Sequence, residues 1–130
     1  MSVIAVATSY FLLEKSYPDI VSYGYSGKKF HFRLKSNGST GFSWETTANP
    51  SKNLTITENE EAKPSDGSPL GVETQTQITG KVLEDGQSHL TLIYKQNWSG
   101  GEVASKYKVT IYSKDNEIKS LKINKIENKN

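Results

Sequence analysis

Lys29-Phe30-His31-Phe32-Arg33-Leu34-Lys35 is the stretch on which the fold turns. Its side chains alternate strictly between polar and apolar. An extended strand sends successive side chains to opposite faces, so Phe30, Phe32 and Leu34 meet a core while His31, Arg33 and Lys35 meet water. The strand runs into Asn37-Gly38-Ser39-Thr40-Gly41, which has no bulky side chain to bury. Glycine and asparagine accept positive φ, which makes this a surface turn of the kind where function collects. A second short strand, Phe42-Ser43-Trp44-Glu45-Thr46, leaves it, with Trp44 directed to the core.

The pattern repeats on both sides. Upstream, Ser9 to Lys15 reads as a short buried strand, Pro18 interrupts, and Ile20 to Tyr25 is rich in Val and Tyr. Downstream, Asn49-Pro50 signals a turn and Leu54-Thr55-Ile56-Thr57 a short strand. Glu58 to Val72 carries acids, prolines and glycines without hydrophobic periodicity, and reads as a long loop of the kind that is either functional or disordered. Thr74 to Leu83, His89 to Lys95, Ser105 to Ser113 and Ile118 to Ile126 recover strand character. Between the second and third of these, Gln96 to Ala104 forms a connection holding Trp98 and Gly100-Gly101.

No stretch carries a helical period. The reading is all-β: an immunoglobulin-like antiparallel β-sandwich of about seven to nine strands. Residues 1–130 form one domain, with 1–8 and 127–130 as flexible ends. The core comprises Phe30, Phe32, Leu34, Trp44, Leu90, Leu92, Tyr94, Val109 and Ile111.

Composition narrows the function. The 130 residues contain no cysteine, which removes disulfides, thiol chemistry and cysteine metal sites. Sixteen basic and 14 acidic residues are spread along the chain for a net charge of +2, with no basic block for nucleic acid. No apolar run reaches membrane-spanning length. His31 faces outward between two phenylalanines and His89 starts a strand after a turn, so neither is placed for catalysis. Phosphate-binding loops, nucleophile elbows and calcium-loop spacings are all lacking. The chain reads as a non-enzyme without a cofactor.

Three segments then line up: Asn37-Gly38-Ser39-Thr40-Gly41-Phe42 followed by Trp44, Leu70-Gly71-Val72-Glu73-Thr74, and Tyr94-Lys95-Gln96-Asn97-Trp98. Their order and spacing resemble the chagasin-like inhibitors of papain-type cysteine peptidases. That family carries Asn-Pro-Thr-Thr-Gly-Tyr/Phe, Gly-x-Gly-Gly and Arg-Pro-Trp on three loops at one end of an immunoglobulin-like sandwich. The resemblance spans roughly Phe30 to Tyr112. The first motif keeps Asn37, Thr40, Gly41 and Phe42, with Gly38 for proline and Ser39 for one threonine. The second keeps Gly71 alone, with Glu73 and Thr74 at glycine positions. The third keeps Trp98, with Gln96 and Asn97 for Arg and Pro.

The resemblance implies a tight, reversible, one-to-one inhibitor, monomeric on its own, that blocks a peptidase cleft with three loops. It implies contacts from Asn37, Gly38, Ser39, Thr40, Gly41, Phe42, Leu70, Gly71, Val72, Glu73, Thr74, Gln96, Asn97 and Trp98. Thr40 and Ser39 would sit nearest the active cysteine, the Gly71 loop would offer backbone hydrogen bonds in the manner of an added strand, and Trp98 would anchor the other side. Small residues suit this role, because only a narrow loop reaches the floor of such a cleft.

Two further readings come from the residues themselves. Asn37-Gly38-Ser39, Asn53-Leu54-Thr55 and Asn97-Trp98-Ser99 are glycosylation sequons, and two of them lie in the proposed inhibitory loops. A glycan there would obstruct docking. With that and the lack of cysteine, the reading favours the cytoplasm, the alternatives being a vesicular or lysosomal lumen or secretion. The rival from another class is an immunoglobulin-like carbohydrate-binding or adhesion module, with Trp98, Tyr94 and Tyr112 as a sugar-stacking platform. The bland alternative for Trp98 is a lid over the core.

Overall fold

A computed structural model of the chain describes residues 17–36, 41–62 and 74–126. The eight described strands are β1 (Ile20–Ser26), β2 (Lys29–Ser36), β3 (Phe42–Asn49), β4 (Leu54–Ala62), β5 (Thr74–Val82), β6 (Gly86–Gln96), β7 (Val103–Lys114) and β8 (Glu117–Lys125). They form two four-stranded sheets, ordered β1-β2-β5-β4 and β3-β6-β7-β8, with every neighbouring pair antiparallel. The all-β, immunoglobulin-like sandwich read from the alternation is the fold found.

β2 shows the strictest alternation, with every second residue buried from Phe30 to Ser36. Phe30, Phe32 and Leu34 join Ile78 and Val82 of β5 and Leu54 of β4 in one apolar cluster with the opposite sheet. That sheet contributes Trp44, Leu90, Leu92, Tyr107, Val109, Ile111, Ile118 and Ile123. Gly80 lies directly across from Phe30 in the β2–β5 register. A Cβ at Gly80 would fall 2.2 Å from Phe30 Cζ, so only glycine lets that ring lie flat on the strand.

Tyr94, assigned to the core, is half-buried instead. It sits near the end of β6 where the sandwich opens, its ring 4.8 Å from Trp44 and 5.3 Å from Phe42. Tyr107 occupies the deep position in its place. Its hydroxyl donates to Asp19 Oδ2 at 2.7 Å, an oxygen that also accepts from Ser105 Oγ at 2.8 Å. Burial, with help from the Asp19 hydrogen bond and charge, pushes the Tyr107 phenol well above its ordinary 10.0.

Two further expectations change. The stretch from Glu58 is not loop at once, because β4 continues to Ala62. A register shift between Ile56 and Glu58 reverses the alternation: Ile56 pairs with Gly80, then Glu58 with Thr79 and Asn59 with Ile78. The face shared with β5's buried residues passes from Leu54 and Ile56 to the exposed Asn59 and Glu61, so no continuous hydrophobic period exists to detect. Charges along this edge also protect it from pairing with another chain. His89, in turn, lies inside β6 and not at its start, with Nδ1 3.2 Å from Thr110 Oγ1. The expected strand from Ser9 to Lys15 and both flexible ends lie outside the described residues.

The two open sides of the sandwich are laced differently. Between β1 and β8, Tyr25 Oη donates to Lys119 O at 3.3 Å, and Tyr17 Oη, ahead of β1, donates to Ile123 O at 2.9 Å. On the β3 side, Trp44 Nε1 donates to Lys35 O at 2.9 Å, and Asn59 Nδ2 to Trp44 O at 3.3 Å. At one extremity the two-residue β7–β8 turn places Asp115 and Asn116 at φ 57° and 64°. The Asp85 carboxylate accepts both of their backbone N–H groups, at 2.8 and 3.1 Å.

Candidate functional site

The strand registers decide where the loops go. Ser36 pairs with Thr74, Ala62 with Gln75, Phe42 with Gln96, and Lys95 with Val103. The last residues of β2, β4 and β6 therefore share a rim with the first residues of β3, β5 and β7. The connections 37–41, 63–73 and 97–102 all leave from this rim, opposite the turn held by Asp85.

Of the fourteen candidate contact residues, Asn37, Gly38, Ser39, Thr40, Leu70, Gly71, Val72 and Glu73 lie outside the described residues. The rest occupy the rim. Gly41 has φ 82°, a conformation glycine adopts without strain. Its carbonyl accepts the backbone N–H of Asn97 at 3.2 Å, which joins the first connection to the third. Trp98 covers Gly41 so closely that a Cβ there would lie 2.6 Å from Cζ3 and 2.8 Å from Cη2. The indole still keeps 51% of its surface in solvent. It is no lid over the core.

The third connection is braced from within. Gln96 N donates to Glu102 O at 3.0 Å, Gln96 Oε1 accepts from Glu102 N at 2.9 Å, and Gly101 N donates to Trp98 O at 2.9 Å. The Gln96 carboxamide thus closes the turn that displays Trp98. Phe42 is half-buried against Tyr94. The Thr74 hydroxyl donates to Glu61 Oε2 at 2.7 Å and lies 2.8 Å from Ser36 Oγ, which donates to the same oxygen at 3.1 Å. This knot ties the root of the first connection to both roots of the second. Sequence reasoning missed Ser36 and left Glu61 among the solvated acids of the long loop; the available signal was a serine in the inward phase of β2, two residues after Leu34.

The rival platform does not form. Tyr94 continues the inward face of Leu90 and Leu92, whereas Tyr112 is exposed and pairs with Gln87, near the opposite end of β6. The two sequon asparagines among the described residues also differ. Asn53 is buried and its Nδ2 donates to Ser88 Oγ at 3.1 Å, while Asn97 is exposed. Among the described residues no three His, Cys, Asp or Glu side chains are grouped to hold a metal. No described helix is long and apolar enough to cross a membrane.

The profile of a family described as chagasin family peptidase inhibitor I42 matches residues 25–112. Among solved structures, the chain is similar to the crystal structure of the cysteine protease inhibitor EhICP2 from Entamoeba histolytica, at 24% sequence identity and a TM-score of 0.47. That match covers 56% of this chain and 66% of the other, just under two thirds of its length. Comparison with curated proteins gives no match.

Proposed function

The chain belongs to the chagasin family of peptidase inhibitors, and from that membership we propose that it blocks the active-site cleft of papain-like cysteine peptidases. The observation that carries the reading is the convergence of the three connections on one rim, with Trp98 exposed upon Gly41. A papain-like cleft is narrow and has a thiolate–imidazolium pair at its floor. A blocking protein has to fill it without presenting a peptide bond in attack geometry. In this reading Thr40 and Ser39 lie nearest the cysteine, the Gly71 segment runs beside the substrate subsites, and Trp98 lies against the opposite wall.

Bracing makes such a wedge effective, because ordering loops on binding subtracts from contact energy. The Asn97–Gly41 hydrogen bond, the Gln96–Glu102 pair and the Ser36–Thr74–Glu61 knot hold the roots in advance. The complex is one-to-one, reversible and of ordinary protease–inhibitor size, roughly 1,600 Å² in total. The free protein is a monomer and performs no catalytic step of its own.

Competition tests the reading: an active-site-directed peptide should displace the protein from its peptidase, and free sugars should not. We also place the chain in the cytoplasm. The buried Asn53 side chain supports this, since a glycan on Nδ2 would have to occupy the space of Ser88. Routing the protein through a glycosylating compartment should lower the yield of active protein, through misfolding where Asn53 is modified and through obstructed docking where Asn37 or Asn97 is; fully active glycosylated protein would contradict the placement.

A further inference from the structure

The β3 side of the sandwich does not close near the rim. The register shift in β4 sets Asn59 and Glu61 across from Ile78 and Thr76, on the face toward β3, where both remain exposed. These two, with Thr76 of β5 and Ser43 and Trp44 of β3, line a cleft of about 330 Å³. Its polar groups are arranged with one sign. Glu61 Oε2 is fixed by the Ser36 and Thr74 hydroxyls, at 3.1 and 2.7 Å. Among the described residues no hydrogen bond reaches Glu61 Oε1 and no cation pairs with the carboxylate, the one described ion pair being Lys119–Glu117. Asn59 directs its amide N–H to Trp44 O, which leaves Oδ1 as an acceptor. Thr76 Oγ1 has no described partner either.

An oriented carboxylate with further oxygen acceptors around it suits one side chain best. The guanidinium of arginine is a planar cation with five N–H donors and no acceptor. A lysine ammonium satisfies the charge but not the planar, multi-acceptor surroundings. A divalent metal would need more carboxylates than this single one.

Position identifies where such a group would come from. Glu61 is the penultimate residue of β4, and Ser43 the second residue of β3. Thr76 is the third residue of β5. Four of the five lining residues therefore lie within two strand residues of the rim that carries the three connections, and Asn59 lies three from it. We propose that it receives an arginine side chain from the border of the target peptidase's active-site cleft, a second point of recognition beside the loops. The occupant rests on the inhibitor reading; the guanidinium chemistry of the cleft does not.

The test has two arms. In the first, isotope-labelled protein is titrated with N-acetylarginine amide while the Trp44 Nε1–H and Asn59 Nδ2–H signals are followed by NMR. Saturable shifts are expected with arginine and not with the neutral citrulline analogue, and they should vanish in Glu61→Gln. Equal shifts with citrulline or N-acetyllysine amide, or shifts retained in Glu61→Gln, would overturn the guanidinium site.

In the second arm, Glu61→Gln and the near-isosteric Thr76→Val are compared with wild type against an inhibited papain-like peptidase. Loss of the charge-assisted contact should make the Glu61→Gln complex roughly tenfold weaker, through faster dissociation. Glutamine keeps an oxygen for the Ser36 and Thr74 hydroxyls, which preserves the loop roots. Unchanged inhibition in both variants would overturn the proposed occupant and leave the inhibitor reading intact. A wild-type protein that inhibits no such peptidase would overturn both.

Discussion

The ring of Trp98 rests on Gly41, close enough that a single methyl group on Gly41 would fall inside it. Two segments more than fifty residues apart in sequence are thereby made into one surface. Gly41→Ala adds this clash to an unfavourable φ of 82°. We expect the variant to remain folded and to lose inhibition by tenfold or more, on the order of 1.4 kcal/mol. Paired inhibition and circular-dichroism measurements would check it.

Trp98→Ala should cost more. An exposed aromatic on a braced turn is the usual anchor of an interface, with truncation weakening binding by about 2 kcal/mol or more, roughly thirtyfold. Combined with Thr40→Asp, which puts a charge and extra bulk into the leading loop, inhibition should fall below detection at micromolar concentrations. Thermal unfolding should hardly change, because Trp98 lies outside the apolar cluster.

Gly80→Ala should do the reverse. Its Cβ would meet Phe30 Cζ at 2.2 Å and the Thr55 carbonyl oxygen at 2.8 Å, in the packed middle of the first sheet. Overpacking of this kind costs about 1–3 kcal/mol. Chemical denaturation should show the loss, and inhibition by the folded fraction should stay at the wild-type level.

Asp85→Ala separates the two ends of the molecule. Its carboxylate accepts the N–H groups of Asp115 and Asn116, which the β7–β8 turn leaves facing it. Removing them should lower stability by about 1–2 kcal/mol with no effect on inhibition. Loss of inhibition here would mean that the two ends are mechanically coupled.

Stability at alkaline pH follows from Tyr107. Its folded-state value is raised, chiefly by burial and then by Asp19, above the 10.0 of an unfolded chain. Above pH 10 the unfolded state loses this proton and the folded state keeps it, so folding stability falls as pH rises. Below pH 10 the contribution is complete and flat. Tyr23 is shifted in the same direction by burial and by Tyr17, and adds to the slope. Denaturation midpoints between pH 8 and 11 should fall more gently in Tyr107→Phe than in wild type.

The fold was legible where a strand has one wet and one dry face. β2, β6 and β7 keep period two over long runs, and the buried set Phe30, Phe32, Leu34, Leu90, Leu92, Val109 and Ile111 follows directly. β4 was half missed, because a register shift breaks its period and the residues beyond it on the face toward β3, Asn59 and Glu61, are polar and exposed. Tyr94 was placed too deep because alternation reports the face of a strand and not its distance from the open rim. Trp98 and Gly41 could each be singled out from the turn chemistry. Their contact could not, since it depends on the pairing of Phe42 with Gln96, fifty-four positions apart in the chain.

The most direct test of the central claim is titration of the purified protein against papain with a small fluorogenic substrate. The account predicts stoichiometric loss of activity, restored on dilution, with the protein recovered uncleaved. Full activity of papain and of its cathepsin-like relatives in the presence of excess protein would contradict it, as would recovery of the protein cut within residues 37–41.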